Sequence, residues 1–487
     1  MRSQISSTHD ETFDYVIVGS GAAGSSAARI LADTGRSVAI VEEGSRIETE
    51  AFSDRVLPTI KSLYRDMGFQ LARGRATIPV LQGVCLGGST VVNSAIVRRM
   101  PEEVWSEWER DYGIGHALPW EGLEARWQMI EEELSVAPTP REIWGGNNAL
   151  MDRARTALGL SGGPISRFVR NCRGSARCQL GCPYGAKQSM LVSYLPYAER
   201  KGVRILTGAR VERVFFEGDR AIGVMTRSFR LHARRAVIVA ASAIQTPLLL
   251  ARSGVRSAHL GRHFQGHPGG AVVGIFDRPV QMWSGATQGY EIDEYREGLR
   301  AKIETVAIPP ETLFASLPGV GRKWVRAIAD SGHAAVFAVA LRAFAQGRVS
   351  AGRSGTASIA FDLEPRDVDN LRSALRRIAD LLFAAGAREV IPAIHGLPER
   401  LGPGEAHLIE DGPRNPGAYA LILSHLFGTA RMSARETDGV IGTDFAVHGR
   451  RNLYVIDSSL FPTNLGVNPQ HTIMAIAMEA ADRIAAR

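Results

Sequence analysis

His425 and Asn468 are the side chains of this 487-residue chain whose types and settings best suit proton and oxygen chemistry. His425 precedes Leu-Phe-Gly428-Thr429, and Asp457 ends the apolar run Leu453-Tyr-Val-Ile456 some 32 residues later. Gly466-Val-Asn468-Pro469 follows and leads into a segment that reads as a helix. A histidine titrates close to neutrality, so it can accept a proton from a hydroxyl group. A carboxamide can hold the oxygen left behind without competing as a base. His471, three residues beyond Asn468, shares the helix and can point elsewhere.

The opposite end of the chain carries a cofactor signal. Val16-Ile-Val18 reads as a buried strand, Gly19, Gly21 and Gly24 form G-x-G-x-x-G, and small residues from Ser25 to Ala32 continue as a helix. The first glycine allows a tight turn, the second lets backbone approach a pyrophosphate, and the third lets helix and strand pack closely. A second strand, Ser37-Val-Ala-Ile-Val41, ends in Glu42, eighteen residues past Gly24, where a carboxylate can accept from ribose hydroxyls. Because the motif opens the chain, FAD fits better than NAD. A second glycine-rich loop, Gly83 to Asn93, contains Gly87, Gly88 and Ser89, which can bring N–H groups against a flat ligand, and Asn93 can bond a ring edge.

The elements that must position these residues occur in three separated stretches. They are 14–101, 203–266 and the tail around Asn452 to Arg487, where Pro469 suits the first turn of the last helix and Asn468 its cap. Ile473, Ile476, Ala477, Ala480 and Ile484 give that helix one apolar face. Two tracts of different texture intervene. The first holds Trp105, Trp108, Trp120, Trp127 and Trp144, and the second mixes strand-like pieces (334–340, 356–363) with an amphipathic helix at 368–385. The layout predicts an α/β protein: a Rossmann-like FAD-binding domain with an inserted α+β substrate-binding domain. The cofactor domain is drawn at 12–101, 202–266 and 425–487, and the inserted domain at 102–201 and 267–424.

Bulk properties narrow the partners. A net charge of +7 over this length is mild and its arginines are scattered, so no nucleic-acid groove is expected. The longest apolar runs are interrupted, at Ser242, Gln245 and Thr246 or at Arg342, so no membrane span is expected. Met1 to Thr12 is polar and lacks a signal-peptide pattern, which points to a cytoplasmic protein.

Taken together, the chain resembles the glucose–methanol–choline (GMC) oxidoreductases. The matching elements are the Gly19–Glu42 unit, Leu86-Gly-Gly-Ser to Asn93, Ala241-Ser-Ala-Ile-Gln-Thr-Pro247, His425-x-x-Gly-Thr and the Asp457…Asn468-Pro469 tail, in family order from end to end. The resemblance implies FAD and oxidation of an alcohol to a carbonyl, with His425 as base and Asn468 as alkoxide partner. It further implies Asn93 beside the flavin ring, Asp457 near the ribityl–pyrophosphate end and Val211 against the adenine. Val92 occupies the position at which some members tether FAD through histidine, so non-covalent FAD is expected. The substrate is a small-molecule alcohol, and Phe314, Trp324, Phe337 and Phe344 tilt the reading towards a hydrophobic one. The electron acceptor is O₂ or a redox carrier.

Cys172, Cys178 and Cys182 form C-x5-C-x3-C-P. The spacing is similar to the three-cysteine site of GMC-type sugar dehydrogenase subunits that carry a [3Fe–4S] cluster. A metal-free, reduced structural loop is the preferred reading, and the cluster is the alternative.

Overall fold

The β-branched runs on either side of the first glycine loop form strands because such side chains pack well on a pleated, buried surface. In a computed structural model that describes residues 10–316, 320–352 and 355–487, these runs become Asp10–Val18 and Val38–Val41. The two strands pair in parallel, and Asp10–Val18 pairs in parallel with Arg230–Val239 on its other side. Arg204–Leu206 and Leu453–Val455 extend the parallel set at its two ends. An antiparallel hairpin, Arg213–Glu217 and Arg220–Met225, completes seven strands. Parallel pairing needs a crossover, and the helix Ala22–Leu31 supplies the first. The carboxyl ends of the parallel strands therefore share one edge, where open α/β sheets hold their ligands.

The second sheet has seven strands and is antiparallel throughout. Gln265–Ile275 is its central strand. It pairs with Ala334–Leu341 on one side and with Glu389–Ile391 and Ile422–Phe427 on the other. The helix Pro365–Ala384 covers one face and buries Leu371, Leu375, Ile378 and Leu382. It starts cleanly because Pro365 occupies the first turn and Glu364 and Asp367 form a capping box. The approach is close: a Cβ at Gly274 would stand 2.8 Å from Leu382 Cδ2. Strand alternation then turns Lys302 and Glu304, on Ala301–Thr305, to the opposite face.

Each sheet has its own hydrophobic core. The helices Glu102–Tyr112 and Trp120–Glu133 carry four of the expected tryptophans. Trp108 and Trp127 lie wholly inside the first core. The limits drawn at 266/267 and 424/425 fall inside Gln265–Ile275 and Ile422–Phe427, so the strand that bears His425 is a member of the second sheet. Of the polar tail at 1–12, only residues from Asp10 onward are described. No helix among the described residues is long and apolar enough to cross a membrane.

Candidate active site

The turn after Val18 creates a crevice at the sheet's carboxyl edge. Gly19 has φ +100°, and a Cβ there would lie 2.4 Å from the Ala240 carbonyl oxygen, so only glycine fits. Gly24 packs still more closely, since a Cβ would come within 1.9 Å of the Gly19 carbonyl oxygen. Gly21 differs: nothing lies within 4 Å of a Cβ built on it, and as N-cap of Ala22–Leu31 it has no side-chain capping bond. Free helical N–H groups thus face an open space, which is the setting that accepts a phosphate.

That space is a cleft enclosing about 1190 Å³, partly continuous with solvent. Gly19, Gly21, Glu42 and His425 all line it. Val211, Gly88, Ser89, Asp457 and Pro469 border it too. Glu42 is 7% exposed and accepts from Ser20 N and Oγ at 2.9 and 2.6 Å and from Gly44 N at 2.7 Å. Burial raises its pKa, and these donors work in the opposite direction. Gly87 donates from its N–H to Ser20 Oγ at 3.0 Å, and a Cβ on Gly88 would lie 3.0 Å from Gly21 Cα. The two glycine loops therefore close on one another across the cleft.

Other expected residues serve the frame. Asp457 accepts from Ser242 N, Thr246 Oγ1 and Ser459 N at 2.9, 2.6 and 2.8 Å, which joins the strand end to the helix Ser242–Arg252. Asn93 donates to Gln470 Oε1 at 2.5 Å and accepts from Ala95 N at 3.0 Å. Pro469 is the N-cap of the helix Gln470–Ala485. Asn468 does not cap this helix, contrary to the sequence reading, because its carboxamide oxygen is taken by the ammonium of Lys302. His471 points away from the cleft; it is buried against Trp127 and Phe168 and lies 3.3 Å from the Trp127 carbonyl oxygen.

The structure brings His425 and Asn468 together: His425 Nε2 lies 3.4 Å from Asn468 Nδ2. His425 is half-buried and lines the cleft, and burial lowers its pKa to about 3, assisted by the positive charge of Lys302. It is therefore neutral at neutral pH. Behind it, His267 Nδ1 stands 3.0 Å from His425 Nδ1, and Gly466 N–H donates to His267 Nε2 at 3.0 Å. Lys302 is 1% exposed and pairs with Glu304 at 2.6 Å and Glu291 at 3.5 Å, while Arg98 pairs with Glu291. Sequence reading missed His267, Lys302 and this buried ion network. The available signal was Ala301-Lys-Ile-Glu-Thr305, where charged residues alternate within a strand flanked by other apolar strands.

Two expectations need correction. Trp324, Phe337 and Phe344 do not line the cleft. Phe337 is core beneath the long helix, Trp324 is 39% exposed, and Phe344 lies under the guanidinium groups of Arg300 and Arg366. The side chain of Phe314 falls outside the described residues. These rings therefore carry no argument about the substrate. The cluster alternative also gains no support: Cys172, Cys178 and Cys182 are free, and among the described residues no group of three or more His, Cys, Asp or Glu is placed to hold a metal ion. The cysteine segment is instead stapled to the Gly83–Asn93 loop by buried Lys187, which donates to the carbonyls of Val91, Asn93 and Cys178 at 2.5, 2.9 and 2.6 Å.

An uncharacterized GMC-type oxidoreductase of Mycobacterium tuberculosis is 36% identical over 483 residues, covering 97% of this chain and 76% of the relative. A long-chain-alcohol oxidase of Arabidopsis thaliana is 27% identical, covering 97% and 68%. A variant of the Aspergillus oryzae formate oxidase superposes with a TM-score of 0.76 at 18% identity, covering 99% of both chains, which speaks for the fold alone. Profiles of the GMC oxidoreductase N-terminal and C-terminal regions match residues 13–269 and 344–477, and the chain belongs to the GMC oxidoreductase family of flavoproteins.

Proposed function

We propose that this protein is an FAD-dependent alcohol oxidoreductase that converts a CH–OH group to a carbonyl at His425 and Asn468. The observation that carries the reading is one cleft lined both by the Gly19–Gly21 turn and by His425. When bound, FAD supplies at N5 an acceptor for the hydride of the alcohol carbon. Gly19, Gly21, Gly88 and Ser89 hold the cofactor through backbone, with Gly24 and Gly87 supporting the two turns. Glu42 takes the ribose and Val211 the adenine side; Asp457, Asn93 and Pro469 frame the remainder. Val92 offers no nucleophile, which favours a non-covalent cofactor.

His425 and Asn468 stand close enough to share one substrate oxygen, and His425 is the group able to exchange a proton with it. Likeness to a long-chain-alcohol oxidase supports a hydrophobic alcohol, and the electrons leave to O₂ or a redox carrier. The test is anaerobic titration of the FAD-loaded protein with short, long-chain, aromatic and sterol alcohols. Bleaching of the flavin band by one class is expected. His425→Ala should retain FAD and slow that bleaching by about 10²–10⁴. Bound FAD that no alcohol reduces would overturn the reading.

A further inference from the structure

The His425–Asn468 pair is held at both ends by groups that can only donate. A backbone N–H cannot accept, so Gly466 N–H, 3.0 Å from His267 Nε2, keeps that nitrogen unprotonated. Neutral His267 must then carry its proton on Nδ1 and donate it to His425 Nδ1. Neutral His425 is left with its proton on Nε2, on the side of Asn468. From the other direction the Lys302 ammonium, favoured by Glu304 and Glu291 against the burial that opposes it, can only donate. It holds Asn468 Oδ1 and so turns Nδ2 towards His425. Two N–H groups therefore stand side by side, 3.4 Å apart at their nitrogens. Donor against donor makes no bond, and an oxygen that approaches both nitrogens from the side, at hydrogen-bond distance from each, satisfies both.

We infer that His267 and Lys302 are positioning residues that fix the donor polarity of His425 and Asn468, so that the site presents two N–H groups to one acceptor oxygen. The ligand class is an oxygen that offers lone pairs, and an anionic one, such as a carboxylate or an alkoxide, binds most strongly. An ammonium, which brings only further donors, is rejected. The charged and titratable groups around the pair are Lys302, Glu291, Glu304, Arg98 and, beside His267, Arg342. The inference rests on the proposed reading of His425 and Asn468 as the substrate-oxygen site, and it gives His425 the donor's part in the resting enzyme. Taking up an alcohol's proton at Nε2 requires the opposite tautomer, with His425 protonated on Nδ1 and His267 on Nε2, which breaks the Gly466 contact.

Difference absorption spectra of the oxidised, FAD-loaded protein at neutral pH test this. Carboxylates from acetate to dodecanoate are compared with alkylamines of the same lengths. At least one carboxylate should perturb the flavin band, and the matched amine should not. His267→Met removes the donor behind His425 and should weaken carboxylate binding by about tenfold or more. His267→Gln keeps an N–H donor and should recover most of it, which separates proton polarity from mere packing. Preference for the amines overturns the inference, as does a flavin band that no carboxylate perturbs or equal behaviour of the Met and Gln variants. A protein that binds carboxylates but is bleached by no alcohol removes the proposed activity and leaves the donor assignment standing.

Discussion

Gly21→Ala and Gly24→Ala place the same methyl group three residues apart and should fail in opposite ways. At Gly24 the new Cβ would stand 1.9 Å from the Gly19 carbonyl oxygen, 3.0 Å from its carbon and 3.2 Å from Ile17 Cγ2. Two of these are backbone atoms of a buried turn, so the helix Ala22–Leu31 must move off the sheet. Overpacking costs about 1–3 kcal/mol, and a rigid backbone obstacle puts this case at about 3 kcal/mol or above. That is roughly a hundredfold in the ratio of folded to unfolded protein. At Gly21 the methyl meets nothing within 4 Å, and φ −67° with ψ −166° is open to alanine. Alanine is a poorer N-cap by about 0.5–1 kcal/mol, while restricting the unfolded chain returns about 0.4–1 kcal/mol, so the net change is near zero. The methyl instead occupies the space in which we place the pyrophosphate, and FAD retention should fall about tenfold or more. The assays are urea unfolding of flavin-stripped protein, followed by circular dichroism, and the ratio of flavin to protein absorbance after purification. Full flavin retention by Gly21→Ala would refute the cofactor placement. Wild-type stability of Gly24→Ala would refute the packing argument.

Acid stability offers a second check, because burial lowers the pKa of His425 to about 3, that of His471 to about 4 and that of His267 well below its ordinary value. Between those values and about 6.5 the unfolded chain binds protons that the folded chain refuses, so stability should be full above about pH 7 and fall as pH drops below 6.5. Each histidine contributes up to about 1.4 kcal/mol per pH unit in that window, and His471→Gln should reduce the slope of unfolding free energy against pH near pH 5 by roughly one proton; an unchanged slope would contradict a neutral, buried His471. Lys187→Met should leave three carbonyls without their donor and cost about 3–5 kcal/mol. Because Lys187 binds the cysteine segment to the Gly83–Asn93 loop, flavin content should fall with it, and a variant of unchanged stability and flavin content would show that the staple holds nothing.

Local sequence was enough for whatever depends on near neighbours in the chain. The G-x-G-x-x-G turn, its flanking strands and Glu42 lie within one βαβ unit, and their steric demands are written into residue type. The last helix was legible from its apolar period and Pro469, and the long helix of the second sheet from its amphipathic pattern, although its start at Pro365 lies three residues before the 368 that the pattern gave. The Asn468 cap was misread because a local rule competed with a distant partner: Lys302, 166 positions away, claims its oxygen. The aromatic residues were equally uninformative, since ring type does not reveal whether Phe337 faces a ligand or a covering helix.

The sequence by itself determined the cofactor fingerprint, the two-part layout and the candidate pair His425 and Asn468. Only the tertiary structure decided what that pair presents. His267 reaches His425 across paired strands, Gly466 sets the tautomer from a loop, and Lys302 sits on a third strand amid buried carboxylates. Proton polarity at a site depends on which donors converge there, and convergence across 158 and 166 positions of chain is a property of sheet register that no local residue pattern encodes.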